Sequence, residues 1–307
     1  MTIKDLKTGR AVSFPPPFVA ALGDFDGVHI GHRRVVEETL GAAGDFNAAS
    51  AAWFFGESPK GGAVLTDADE KDAIFSALGI RLSLREDFGA VRDLSPERFV
   101  FEYLAPLGCR AVVCGFNFRF GKGASGNTEK LKELCEAAGM GCRVVPPVCL
   151  SGSTVSSSAI RERLAEGDVE GANGMLGRAY SVRSAVTHGR TLGSKLGFPT
   201  VNQSFSAGRA LPRRGVYFTY TEADGRKMPS VSNVGSRPTV GGHELRLETH
   251  ILDYEGDLYG DSPRVSFLKF RRPEKKFGSE KELAAAVADD AAAAREFFAK
   301  GESGKIC

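Results

Sequence analysis

The 307-residue chain is short of several things that would point to a function at once. It has one tryptophan, four methionines and five histidines. No apolar run approaches the ~18 residues of a membrane-crossing helix, so no span and no membrane partner are expected. The opening MTIKDLKTGRAVSFPPP is polar and has no signal-peptide core. With 40 basic against 38 acidic residues the formal net charge is +2, so no strong basic field invites nucleic acid. The six cysteines are Cys109, Cys114, Cys135, Cys142, Cys149 and Cys307, and none forms a Cys-x-x-Cys pair. Their spacing fits neither a zinc site nor a disulfide framework. Buried or incidental thiols in a reducing cytoplasm are the expectation. The oligomeric state is not legible.

What is present reads as a soluble globular protein, 42% hydrophobic and 25% charged, long enough for two domains. The first half alternates short apolar runs with helical stretches. FVAAL (Phe18 to Leu22), SAAWFF (Ser50 to Phe55), GIRLSL, RAVVCGF and CRVVPPV read as strands. Residues 30–43, a stretch capped by Thr66 and running to Leu78, a start at Ser95–Pro96, and TEKLKELCEAAG read as helices. Such alternation predicts an α/β domain with a parallel sheet covered by helices. After about residue 178 the rhythm changes to strands joined by tight turns, one at Asp224–Gly225. ELRLETHILDY alternates on a period of two. This half is expected to be an antiparallel β-barrel closed by one long helix, with Ser279 and Glu282 as its capping box. The hinge is expected between Leu176 and Tyr180, giving domains 1–178 and 179–307.

The densest chemistry lies in LGDFDGVHIGH, from Leu22 to His32. Two histidines three apart could begin a metal site, yet no third ligand is evident. They could be ordinary core or surface residues. They could also serve phosphate binding. Glycines at 23, 27 and 31 let backbone approach a ligand, and a helix start after the first strand offers amides and a positive dipole end. The carboxyl end of a strand is where open α/β sheets bind ligands. Asp24 and Asp26 could orient a histidine or attract magnesium. Two glycine-rich runs are decoys. GKGASG (Gly121 to Gly126) matches a dinucleotide fingerprint but is not on the first strand, and GRTLGSKLG (Gly189 to Gly197) lacks P-loop spacing.

The motif GDFDGVHIGH resembles the H-x-G-H signature of nucleotidyltransferases, and in its longer form the opening motif of bacterial bifunctional riboflavin kinase/FMN adenylyltransferases. GFNFRFGKGASG, VSSSAIRERL, HGRTLGSKLGFPTVN, SNVGSRPTVGG, LETHILDYEGDLYG and FLKFRRPEKKF follow in that family's order. The resemblance implies a Rossmann-like nucleotidyltransferase domain followed by a riboflavin kinase-like barrel. It implies ATP, riboflavin and FMN as substrates, FAD as product, and Mg2+ as cofactor. It makes His29, His32 and Glu248 the catalytic residues. It assigns nucleotide binding to Gly23, Phe25, Gly31, Asn117, Ser156, Ser157, Ser158 and Arg161 in the first half. In the second half it assigns Gly189, Gly197, Pro199, Thr200 and Asn202, with Thr200 and Asn202 also meeting the metal.

The resemblance further assigns flavin contacts to Phe120 and Arg271. Phe297 and Phe298 either enclose the flavin or glue the terminal helix to the barrel. Physics agrees with part of this set. Serines at a helix start leave hydroxyls and amides for an anion, and an arginine one turn on can fork two phosphate oxygens. Arg246, Glu248 and His250 share one strand face, either solvent or a site wall. The sequence departs from the family at FFGESPKGG, where a Phe-Asp-Pro-His-Pro-like run is usual. A kinase with a weakened adenylyltransferase half is therefore the alternative reading.

Overall fold

The structure, a computed structural model, describes residues 1–58, 61–187, 198–239 and 242–301. Contacts divide the chain into two compact units, Met1–Ser157 and Ser158–Cys307.

In the first unit, β1 (Thr2–Asp5), β2 (Phe18–Leu22), β3 (Ala49–Phe55), β4 (Leu82–Glu86), β5 (Cys109–Gly115) and β6 (Gly141–Val145) form one sheet in the order β1-β4-β3-β2-β5-β6. The neighbouring pairs among β2 to β6 are parallel, as the alternation predicts. β1 adds an antiparallel edge against β4 that four polar-rich residues did not announce. All five residues of β2 are buried, because a parallel sheet is covered on both faces. Phe18, Ala20 and Leu22 join one apolar layer with Trp53 and Phe99, while Val19 and Ala21 join the other with Phe54 and Phe75. The helices are α1 (Ile30–Asp45), α2 (Ala68–Ala77), the short α3 (Phe88–Val91) and α4 (Pro96–Arg98), and α5 (Thr128–Ala137). β7 (Cys149–Leu150) and β8 (Ser153–Thr154) form a small hairpin.

Ser95 caps α4 with Pro96 behind it, as expected. Thr66 does not cap α2. Asp67 does, in a capping box with Glu70, because its carboxylate reaches the Glu70 amide at 2.8 Å. The Thr66 hydroxyl instead accepts from Gly27 at 2.9 Å. The expectation of buried thiols holds for Cys109 and Cys114, which burial pushes up to about 12, whereas Cys149 is exposed. Cys307 lies outside the described residues.

The second unit opens with α6 (Ser157–Glu166, starting at the dividing residue) and α7 (Val169–Leu176). Seven antiparallel strands follow: β9 (Tyr180–Arg183), β10 (Val186–Thr187), β11 (Val201–Ser204), β12 (Gly215–Ala223), β13 (Arg226–Thr239), β14 (Gly242–Ile251) and β15 (Arg264–Arg272). Their order is β10-β11-β14-β13-β12-β15-β9. The change of rhythm near residue 178 falls after α7, and contacts group α7 with the strands. The Asn173 amide donates to the Phe267 carbonyl at 2.8 Å, and its carbonyl accepts from the Tyr180 amide at 2.6 Å.

The sheet curls into a half-barrel. Gln203 on β11, fully buried, donates to the carbonyls of Ser184 and Pro263 at 2.6 and 2.9 Å, next to β9 and β15 on the far side of the strand order. Asp224 and Gly225, with φ of 52° and 69°, make the tight β12–β13 turn. Among the described residues no helix is long and apolar enough to cross a membrane.

The terminal helix α8 (Glu280–Ala299) packs Phe297 on Phe218 and Phe298 on Tyr220, with ring centroids 5.1 and 4.9 Å apart. Of the two readings for these phenylalanines, the described contacts are those of glue. Ser279 caps the helix, but Glu282 reaches back to the Gly278 amide, one residue before the cap. Asp290, 2% exposed, takes both Arg272 Nε and Nη2 at 2.7–3.1 Å. Removing its charge leaves Arg272 half-buried without a counter-ion. We expect Asp290→Asn to lower the stability of this unit by about 2 kcal/mol, read as a shift in its urea midpoint.

Candidate active sites

The strand order reverses at β2, so the crevice beyond the carboxyl ends of β2 and β5 is the place where a doubly wound sheet takes a ligand. The turn leaving β2 fills that place. Phe25 and Val28 hold φ of 53° and 38°, and Gly27 one of 83°. Two side chains in the left-handed region cost free energy that the surroundings must offset. Asp26, 5% exposed, answers the question the sequence left open: its Oδ1 accepts from the amides of Leu65 and Thr66 at 2.7 and 3.3 Å. The Asp26 carbonyl accepts from the Ser157 hydroxyl at 2.8 Å. Asp26 is thus a fastening of the loop, and its carboxylate is engaged by protein. Asp24 accepts from the Ser58 hydroxyl at 3.0 Å and from Lys71 on its backbone carbonyl at 2.7 Å.

His29 caps α1, its Nδ1 accepting from the His32 amide at 3.2 Å. A nitrogen that accepts carries no proton, so the neutral ring bears its proton on Nε2, as a donor. The two imidazoles stack with centroids 3.5 Å apart and planes 15° apart. Gly31 makes room for this: a Cβ there would stand 3.2 Å from both Cε1 and Nδ1 of His29. A Cβ at Gly23 would stand 3.1 Å from the Phe25 ring, which meets His32 edge-on at 5.2 Å. The amides of Ile30 and Gly31, in the first turn of α1, have no intrahelical partner.

Asn117 is exposed just beyond β5, in the turn where Phe118 bonds back to Gly115 at 3.0 Å. Ser156 precedes α6 and Ser157 begins it. Further along, Arg161 donates to the Ser158 hydroxyl at 3.3 Å. Phe120 is turned into the core beside Phe118 and Phe99, and Gly126 leaves space for its ring. In that hairpin Phe116, 47% exposed, is the most exposed ring, and Phe118 is half-buried. Pro59, of the altered run after β3, lies outside the described residues.

In the second unit the register carries the geometry. Glu248 on β14 pairs with Asn202 on β11 and with Asn233 on β13, so three polar side chains share one row on one face. Leu247, Thr249 and Ile251 are buried on the other face, as the alternation predicts, and Glu248 is exposed. Thr200 is half-buried, and its carbonyl accepts from Asn202 Nδ2 at 3.3 Å. The Asn202 amide is 5% exposed. His250 joins β14 to the segment before β11, its Nδ1 lying 3.0 Å from the Pro199 carbonyl. Gly189, Gly197 and the glycine-rich run between them lie outside the described residues. Arg271 points to α8, with Nη2 3.1 Å from Asp289 and Nε 3.7 Å from Asp290.

Sequence reasoning placed His250 on the Glu248 face through the period-two pattern of β14, but missed Asn233 beside Glu248 and Thr66 beside the β2 turn, because nothing local marks either.

A helix-start turn with two stacked imidazoles at a sheet's switch point, joined in one chain to a curled β-sheet with a carboxylate–amide row, has the character of a two-module transferase. The FAD synthetase family matches residues 12–159 and the riboflavin kinase family residues 176–298. Bifunctional riboflavin kinase/FMN adenylyltransferase from Listeria monocytogenes is 31% identical over 92% of this chain and 93% of its own length. The protein of the same description from Escherichia coli K12 is 34% identical over 91% and 92%. A crystal structure described as a macrolide-efflux protein from Streptococcus pneumoniae matches with a TM-score of 0.85 and 27% identity, over 95% of this chain and 97% of that one. The chain belongs to the bifunctional riboflavin kinase/FMN adenylyltransferase family.

The Asp26 clamp gives a test independent of activity. In Asp26→Ala the buried amides of Leu65 and Thr66 lose their acceptor. We expect the first unit to lose about 2–4 kcal/mol, measured by thermal unfolding followed by circular dichroism.

Proposed function

We propose that this chain phosphorylates riboflavin to FMN with ATP and then adenylylates FMN to FAD with a second ATP, releasing pyrophosphate. The observation that carries the proposal is the alignment with bifunctional relatives along both halves, over 92% of the chain for the Listeria protein. That span covers the altered FFGESPKGG run, and it favours the two-activity reading over a kinase alone.

In the first half, covering residues 1–178, a phosphate oxygen of FMN attacks the α-phosphorus of ATP as the bond to pyrophosphate breaks. No protein nucleophile is needed. The work is alignment and neutralisation of charge. His29 suits it because Nδ1, accepting from the His32 amide, puts the proton of the neutral ring on Nε2, the atom proposed to donate to a phosphate oxygen. His32, stacked on it, and the amides of Ile30 and Gly31 add donors on the same turn. At the start of α6, Ser156, Ser157, Ser158 and Arg161 are proposed to grip the tail of the triphosphate. Asn117, exposed beside the same crevice, is proposed to contact nucleotide or flavin phosphate.

In the second half, residues 179–307, Glu248 accepts the proton of the riboflavin 5′-hydroxyl as that oxygen attacks the γ-phosphorus and ADP leaves. The row Asn202–Glu248–Asn233 supports this role, since it sets a carboxylate beside the Thr200–Asn202 segment. The donor set there is hydroxyl and amide oxygen. Among the described residues no group of three carboxylates, histidines or cysteines could hold a metal by itself. That set fits Mg2+, which binds through few protein oxygens together with substrate phosphates and water. Thr200 and Asn202 would hold it, and it would draw negative charge from the phosphates. Asn202 Nδ2 is spent on the Thr200 carbonyl, so its Oδ1 is the atom that would serve a cation. Phe120 and Arg271 carry no step in this mechanism, because their side chains are committed to protein contacts.

The test is direct. The chain incubated with riboflavin, ATP and Mg2+ should yield FMN and FAD on chromatographic separation, and production of neither flavin overturns the proposal. Glu248→Gln should slow FMN formation by about 100-fold or more while FMN supplied directly is still converted to FAD. Gly31→Ala, which must displace the His29 ring, should do the reverse.

A further inference from the structure

One buried charge takes no part in the mechanism above. Lys71 lies in the first turn of α2 and is 3% exposed. Its Nζ donates to the Asp24 backbone carbonyl at 2.7 Å, stands 3.8 Å from Asp24 Oδ1, and lies 5.2 Å from the centre of the Phe54 ring. Burial lowers its pKa. Asp24, Asp26 and Asp67 oppose that effect and Arg85 adds to it. An ammonium so enclosed is costly to desolvate, and a methionine would fill the same space without that cost.

What Lys71 holds explains the charge. Asp24 opens the turn that bends through Phe25 and Val28 in the left-handed region and ends at His29. Residues held in such conformations persist when their surroundings over-determine them. Asp26 is fastened by the amides of Leu65 and Thr66, and Gly27 by the Thr66 hydroxyl. Lys71 supplies the fastening at the first residue, and it engages main chain and carboxylate together. The Asp24 carboxylate is also bonded to Ser58, in the run after β3 that departs from the family pattern. Asp24 therefore ties the turn carrying both imidazoles to α2 through Lys71 and to that run through Ser58.

We propose that Lys71 is a positioning residue for adenylyl transfer: acting through Asp24, its ammonium fixes the turn that presents His29 and His32 to the nucleotide phosphates. The inference rests on the reading of this turn as the ATP site, and it assigns Asp24 to geometry. A misplacement of such a turn by a fraction of an ångström weakens alignment in the transition state more than it weakens binding, so the loss belongs in kcat.

The experiment uses the full chain and three variants, Lys71→Met, Lys71→Arg and Asp24→Asn. Rates of FMN-to-FAD conversion are measured with varied ATP and varied FMN, at a temperature where circular dichroism shows each variant fully folded. Riboflavin phosphorylation by the same preparation is the internal control. Lys71→Met should lower kcat for FAD formation by about tenfold or more, with KM for FMN changed less than about twofold and the kinase rate unaltered. Lys71→Arg, which keeps the charge, should recover part of that loss. Asp24→Asn keeps the carbonyl bond and should show a smaller loss of the same kind; it decides the matter if Lys71→Met does not fold.

A folded Lys71→Met with undiminished kcat would overturn the inference, as would a loss that merely follows the unfolded fraction. A wild-type chain that makes FMN but no FAD would overturn the underlying reading and the inference with it. FAD synthesis that survives in folded Lys71→Met and in Asp24→Asn would overturn the inference alone.

Discussion

The Asp26 carboxylate accepts from the amides of Leu65 and Thr66, thirty-nine and forty residues further along the chain. The arrangement of the first unit's functional end depends on that acceptor. The turn it holds is bent against the preferences of two ordinary side chains. Left to itself it would relax, and His29 would lose the position from which its ring caps α1. The capping bond in turn leaves Nε2 as the protonated nitrogen. Local strain, a buried carboxylate and a helix cap are thus successive links in one chain of cause. The product of that chain is a donor of fixed direction at the carboxyl edge of the sheet.

On the function proposed above, the two units offer different means of holding a triphosphate. The first uses backbone: glycines that allow close approach, a helix start, and imidazoles fixed by that helix. The second uses side chains in register across a sheet, with Glu248 between two amides on a surface that water reaches. Adenylyl transfer needs no base, since a phosphate oxygen of FMN is already ionised, and charge-neutralising donors suffice. Phosphorylation of an alcohol gains from a proton acceptor, the role proposed here for the exposed Glu248 carboxylate.

Legibility in the sequence followed locality. FVAAL was readable as β2 to the residue, because burial on both faces demands an unbroken apolar run. The face of Glu248 was readable because a period of two leaves no other assignment once Leu247 and Thr249 are inside. Ser95, Pro96 and Ser279 announced helix starts through chemistry confined to four residues. Thr66 misled for the same reason: a threonine before a helix looks like a cap, and nothing nearby shows that its hydroxyl serves Gly27. Lys71 sits in DADEKDAIFSA, where lysine among acids reads as a solvated face. Its burial follows from the approach of the β2 turn, which comes from 47 residues away. The curl of the second sheet depends on Gln203 meeting carbonyls near β9 and β15, a pairing with no sequence period.

The interior of that curled sheet is unexpectedly polar, and its polarity bears on the site outside. Thr219, Thr221, Ser230, Ser232 and Thr249 are each fully buried. Their hydroxyls are linked across β12, β13 and β14 at 2.8–2.9 Å. An apolar interior would tolerate small slips between strands, because one aliphatic contact resembles the next. A hydroxyl network does not, since a slip strands buried oxygens without partners, at a cost of about 1–3 kcal/mol each. Sliding β14 by one residue would turn Thr249 outward and drive the Glu248 carboxylate into that interior, at the cost of desolvating its charge. The network therefore holds the one register in which Glu248 emerges opposite Asn202 and Asn233. Specificity of pairing inside the sheet and availability of the carboxylate outside it have the same physical origin.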